Sequence, residues 1–317
     1  MRLVLLLLAC GACGTLLAAD TQPIHVVVAS DGSGDFRTIQ MAIDHAPPEG
    51  DRRLIIEIRP GTYHQRLRVP EDRPNVTFLG SDAAKTIITY DMSAKVAGGT
   101  FFSATVDVNA PAFEAENITF ENSFGVGSQA LAISVHSDRA VFRHCRFIGW
   151  QDTLYAASGR QYYQDCYIEG HVDFIFGNAT AVFDHCEIHS RGAGYLTAQS
   201  RVTPDGPQGF VFTRCKLTGE NTGKGVFLGR PWRPYSRVVY LDCWMDSHIR
   251  PEGWNNWGSA ANEKTAWYGE YNSSGPGANP DKRASWAHAL TAAQAKAFEP
   301  QVFLRGNDGW DPLRAGE

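Results

Sequence analysis

Beyond its first twenty residues the chain has no apolar run long enough to cross a membrane as a helix, so a helical integral membrane protein is excluded. Basic stripes are also missing. Lys and Arg number 29 against 34 Asp and Glu, a formal net charge of −5. That argues against a nucleic-acid partner, because phosphates need clustered cations, but leaves room for a local basic groove facing an acidic polymer. No G-x-S-x-G elbow is present, which removes the common serine-hydrolase arrangement. No phosphate-cradling glycine loop occurs, and beyond the first twenty residues no His or Cys cluster has metal-ligand spacing, so no cofactor and no metal are expected. Low-complexity tracts and long linkers are absent too. With 43% hydrophobic and 20% charged residues, the composition is that of one large folded domain or two ordinary ones.

The one long apolar run lies at the start. Arg2 gives a positive n-region, Leu3 to Leu17 are mostly apolar, and Leu17-Ala18-Ala19 supplies small residues for cleavage before Asp20. Residues 1–19 therefore read as a signal peptide and residues 20–317 as the exported domain. A lipid-anchored alternative runs through Leu7-Leu8-Ala9-Cys10, with a very short apolar stretch before the cysteine.

What is present is a repeat. Cys10 and Cys13 fall in the signal; the other five cysteines share one frame: FRHCRF, YQDCYI, FDHCEI, FTRCKL and YLDCWM, centred on Cys145, Cys166, Cys186, Cys215 and Cys243. An aromatic stands three before each cysteine and an apolar residue two after. Asn117 in FEAENITF occupies a similar frame. Counted from Asn117 the intervals are 28, 21, 20, 29 and 28 residues, the period of a solenoid. The units are rich in Val, Ile, Phe and Tyr with short alternations, which favours strands. These features predict an all-β parallel β-helix with Asn117 and the cysteines stacked in an inward ladder. Adjacent rungs would also bring Cys166 and Cys186 within disulfide range, so buried thiols and one bridge both stand as readings. Helical caps are expected at residues 35–46, with Asp35 near the start, and at 291–298, with Thr291 as N-cap. Trp254, Trp257, Trp267 and Trp286 are expected to pack the end of the coil.

The repeat aligns two carboxylates. Asp152 and Asp173 each follow their cysteine by seven residues, which puts them on one line in adjacent rungs, about 4.8 Å apart. Two carboxylates that close cannot both ionise cheaply, so one pKa should rise and the other fall. That supplies an acid together with a base or nucleophile. A retaining glycosidase uses a similar spacing, so the pair alone does not choose between ester and glycosidic chemistry.

The neighbouring residues choose. GWQDTLY at 149–155, GHVDFIFGNA at 170–179 and LGRPW at 228–232 resemble the signature segments of the pectin methylesterases, also called pectinesterases. SQALAI at 128–133 and DGSGDFRTIQMAI at 31–43 are similar to further family segments, and the likeness runs from about residue 24 to 305. It implies a single-stranded right-handed parallel β-helix that hydrolyses methyl esters of pectin, acting as a secreted monomer. By position it implies Asp173 as nucleophile, Asp152 as general acid and then base, Gln129 and Gln151 as oxyanion donors, and Arg230 as the arginine that binds the nucleophile. Trp232, Tyr155 and Phe176 match aromatics of the sugar-binding groove. Gln151 and Asp152 are adjacent and would face opposite ways in a regular strand, so the backbone must turn there; Gly149 is the expected pivot. Thr197 to Arg201 also resembles a family segment, with no role assigned. One departure is Gln65 in Gly61-Thr62-Tyr63-His64-Gln65, where the family has Glu; a structural consequence is expected. His64 and His171 are read as polar surface or hydrogen-bonded residues. Polygalacturonase-type Asp-Asp and Gly-His-Gly segments and the acidic clusters of calcium-dependent lyases are missing, which sets those β-helix enzymes aside.

Overall fold

The computed structural model describes residues 22–45, 52–206, 208–220, 223 and 225–314; the segment read as a signal lies outside the described residues. Short runs such as Leu54–Ile58, LIIEI, alternate buried and half-buried positions, the signature of strands with one face inward. Neighbouring strands pair in parallel throughout. Among the described residues one sheet of eleven strands runs from Ile24–Val28 to His288–Ala289. The second sheet turns a corner. The long strands Tyr167–Gly177 and Glu187–Gln199 pair at their beginnings as the Arg146–Ile148 wall does, and at their ends as the Leu154–Ala156 wall does. The chain thus coils through three walls per rung, a parallel β-helix.

The core is a set of ladders. Phe142, Tyr163, Phe183, Phe212 and Tyr240 stack ring on ring, with centroids 4.9, 4.6, 4.5 and 4.6 Å apart and nearly parallel planes. Each ring also buries apolar surface, so the column stabilises by burial and by offset stacking together. The five cysteines follow it as a second buried column, all of them free thiols. Each Sγ donates to carbonyls of its own and the preceding rung; Cys166 reaches Phe142 O and Gln164 O. The Cys166–Cys186 bridge is therefore not formed. Stacked rungs repeat one side-chain direction, so the two Cβ vectors run parallel instead of converging.

Asn117 does not join the cysteine column. Phe120 pairs with Phe147 and Thr119 with Arg146, which places Ile118 beside Cys145. Asn117 instead sits at the preceding corner with a positive φ of 58°, in line with His144, Asp165, His185, Arg214 and Asp242. Asn, Asp and His tolerate the left-handed region better than most residues, so this corner explains the polar residue before each cysteine.

The ends are closed as the helical patterns suggested, with shifted boundaries. A helix at Ile39–His45 buries Ile39, Ala42 and Ile43 on the first coil. It starts later than Asp35, whose carboxylate accepts from Val27 N, while Thr38 Oγ1 accepts from Met41 N as the cap. Gln65 Oε1 accepts from Ile39 N at 3.2 Å, so the departure from the family pattern ties this cap to the coil. At the other end Thr291 and Gln294 form a reciprocal capping box at Ala292–Ala295. The C-terminal segment then covers an outward apolar stripe, Val141, Tyr162, Val182, Val211 and Val239, with Phe298, Phe303 and Leu304. Arg160 clamps it by bonding Asp138 and Asp308 together.

Candidate active site

Asp152 and Asp173 occur where two consecutive rungs turn between walls. Leu154 pairs with Ile175 and Tyr155 with Phe176, so the same register places Asp152 beside Asp173. The turns are zipped together: His171 N donates to Trp150 O and Asp152 N to Val172 O. Both aspartates lie in the left-handed region, at φ 64° and 51°. The left-handed turn in this segment is thus made at Asp152 itself, and Gly149 is not the pivot.

The pair is buried, Asp152 to 8% exposure and Asp173 to 6%. Arg230 grips Asp173 through two bonds, Nε to Oδ1 at 2.9 Å and Nη2 to Oδ2 at 2.6 Å. Burial pushes the Asp152 carboxyl well above the usual carboxylate range, and the neighbouring Asp173 charge pushes it further. Burial also raises Asp173, against the expectation of a lowered value, although Arg230 opposes that rise. The order within the pair is nevertheless clear. Arg230 favours the charged form of Asp173 and the Asp173 charge disfavours that of Asp152, so Asp173 is the more readily ionised of the two.

Arg230 is placed by the segment that sequence reasoning left without a role. Arg230 N donates to Thr197 O and Trp232 N to Gln199 O, so residues 197–199 are the seat of the LGRPW segment. Gln199 Oε1 further accepts from Arg201 N and Arg237 N. Gln129 and Gln151 are half-buried in adjacent rungs, linked by Ala130 N donating to Gln151 O. Gln129 is also held by Ala94 N, which donates to its carbonyl. Among the described residues neither carboxamide is hydrogen-bonded to another side chain.

Tyr155, Phe176 and Trp232 form one aromatic group. Tyr155 stacks on Phe176 at 4.7 Å and Trp232 lies 5.9 Å from Phe176. Phe176 is only 4% exposed, so it backs the other two rings instead of offering its own face. Phe101, which the sequence did not single out, stands against Tyr155 at 4.9 Å and is half exposed. Trp254 and Trp267 pack the end of the coil as expected, and Trp286 lies against Tyr268 there. Trp257 does not; it lies over Arg230. His64 is exposed beside Asp91, and His171 lies edge-on to Trp150 with Nδ1 buried. No group of three or more His, Cys, Asp or Glu among the described residues is arranged to hold a metal.

A β-helix wall that carries two buried carboxyls side by side, one bound by arginine and the other raised by burial, has the parts of a carboxylate-based hydrolase. The comparisons agree with that class and narrow it. The Pectinesterase family model matches residues 25–307. Pectinesterase 31 of Arabidopsis thaliana is 44% identical over 304 residues, covering 92% of this chain and 96% of that protein. The pectin methylesterase from carrot superposes with a TM-score of 0.87 at 36% identity, over 89% of this chain and 93% of the other. That from Erwinia chrysanthemi gives 0.78 at 30% identity, over 93% and 99%. This chain belongs to the pectinesterase family.

Proposed function

We propose that this chain hydrolyses the methyl esters of pectin through a covalent intermediate on Asp173. The observation that carries the reading is the asymmetry of the pair, a bidentate arginine on Asp173 and none on Asp152. In the first half, an ionised Asp173 oxygen attacks the C6 carbonyl of a methylated galacturonate. The carbonyl π electrons move to oxygen, and the N–H groups of Gln129 and Gln151 receive that charge. As the tetrahedral species collapses, the C–OCH3 bond breaks and Asp152 gives its proton to the departing oxygen, releasing methanol. An anhydride between the sugar carboxyl and Asp173 remains. In the second half, Asp152, now a carboxylate, takes a proton from water, whose oxygen attacks the sugar carbonyl. The bond between the sugar carbon and the Asp173 oxygen breaks, its electron pair stays on that oxygen, the restored carboxylate is again held by the Arg230 N–H groups, and Asp152 is again protonated. One ester and one water become one acid and one methanol.

Tyr155, Trp232 and the exposed Phe101 form the apolar side of the groove, with Phe176 as their support. All five reacting or donor residues come from one chain, so a monomer suffices. Pectin is a polymer too large to enter a cell, which fits removal of residues 1–19 during export and an extracellular site of action. Methanol release from highly methylated pectin by the purified enzyme, with Asp173→Asn beside it, tests the reading. Release by the wild type that vanishes in the variant supports it; undiminished release by Asp173→Asn refutes the nucleophile.

A further inference from the structure

The guanidinium of Arg230 has an environment that the reaction above does not use. Its Cζ lies 3.8 Å from the centroid of the Tyr195 ring and 3.7 Å from that of Trp257. Two rings that both lie over one carbon at that distance cannot share a side, so the plane of the guanidinium is sandwiched between them. Guanidinium is weakly hydrated on its faces and stacks readily on aromatic rings, and stacking leaves the in-plane N–H donors free. Those donors are the ones that bind Asp173.

Both rings are themselves held. Tyr195 pairs in register with Phe227, which stacks behind it at 5.5 Å and 10°, and Arg250 lies over Phe227 at 4.8 Å. Trp257 sits in a loop anchored to the strand that leads into Arg230, because Asn255 N donates to Gly229 O. Its backbone is in the left-handed region at φ 58°, and Trp257 N donates to Asn255 Oδ1 at 2.8 Å. A long arginine side chain is otherwise free to rotate, and each immobilised torsion must be offset by contacts. The sandwich supplies that restraint before substrate arrives.

We propose that Tyr195 and Trp257 are positioning residues that hold the Arg230 guanidinium in the plane of the Asp173 carboxylate. They act through Arg230 and fix both the aim and the ionisation of the nucleophile. The inference rests on the assignment of Asp173 and Arg230 above.

The test compares Tyr195→Leu, Trp257→Leu and the face-keeping Tyr195→Phe and Trp257→Phe in the purified full chain, by methanol release from methylated pectin across pH. Each Leu variant should lose on the order of 10- to 100-fold in kcat with KM nearly unchanged, the scale of a small misplacement at a reacting group. A loosened Arg230 opposes the burial of Asp173 less well, so Asp173 must be ionised at higher pH. The acid limb of kcat/KM should therefore move upward in the Leu variants and return toward wild type in the Phe variants. Wild-type kcat with an unmoved acid limb in Trp257→Leu overturns the proposal; so does a rise in KM at constant kcat, which would make Trp257 a substrate contact. Trp257 is 39% exposed on a surface loop, so that variant keeps the test open even if Tyr195→Leu does not fold. Asp173→Asn separates the two levels. If it is inactive while the Leu variants are normal, only the sandwich fails; if it is active, the catalytic reading fails.

Discussion

Asp152→Asn separates the two halves of the reaction. Asn keeps the shape of Asp152 but cannot give a proton to methoxide. General acid catalysis contributes about 10²–10⁴-fold, or roughly 3–5 kcal/mol of barrier. Asp152 is 8% exposed, so bulk water is a poor substitute and the loss belongs in the upper part of that range, about 10³–10⁴-fold. A better leaving group should bypass the first half. On a galacturonate trifluoroethyl ester, acylation of Asp173 needs little acid help, while the second half still lacks its base. The variant should release about one equivalent of trifluoroethanol per enzyme and then stall. Rapid quench followed by peptide mass analysis should find the galacturonyl group on the peptide that contains Asp173. The alkaline limb of the wild-type kcat/KM profile, which reports loss of the Asp152 proton, should be missing. A burst that survives in the double variant with Asp173→Asn, or steady turnover of the activated ester without a burst, would refute the division of labour.

Because the folded state holds the Asp152 carboxyl well above its unfolded value, its ionisation weakens the fold as pH rises from the unfolded value upward. Asp152→Asn should therefore melt above wild type at pH 7 and lose that advantage near pH 3; an equal or lower melting point at pH 7 would contradict the assigned burial. Phe298→Ala removes a buried ring from the C-terminal cover and should cost about 3 kcal/mol in urea unfolding, with activity in the cold retained. In denaturant without reductant, the enzyme lacking residues 1–19 should titrate five thiols, from Cys145 to Cys243, and almost none when folded; three in denaturant would reveal a bridge.

The repeat was legible because a β-helix reuses one environment. The aromatic three before each cysteine and the apolar residue two after it become the stacked ring column and the inward face of the next wall. The equal offsets of Asp152 and Asp173 carried over unchanged, since the paths from Cys145 to Asp152 and from Cys166 to Asp173 have the same length and the strands on either side pair in one register. Where the rung differs, the pattern misled. Ile118 lies in the column and Asn117 at the corner, because a polar residue in that frame is selected by its left-handed backbone and not by the core. The bridge between Cys166 and Cys186 failed for a related reason: spacing along the chain measures separation and says nothing of side-chain direction.

By itself, then, the chain determined the rung, the walls, the line of the two aspartates and the family. These depend on local periodicity and on residues one rung apart. Tertiary structure decided the setting of the pair, the burial that raises both carboxyls and the bidentate grip of Arg230 on Asp173 across 57 residues of sequence, because these depend on contacts between rungs. It likewise decided that Trp257 covers Arg230 while Trp254 and Trp267 pack the coil, since the same residue type serves both uses and only the fold of the 255–264 loop separates them.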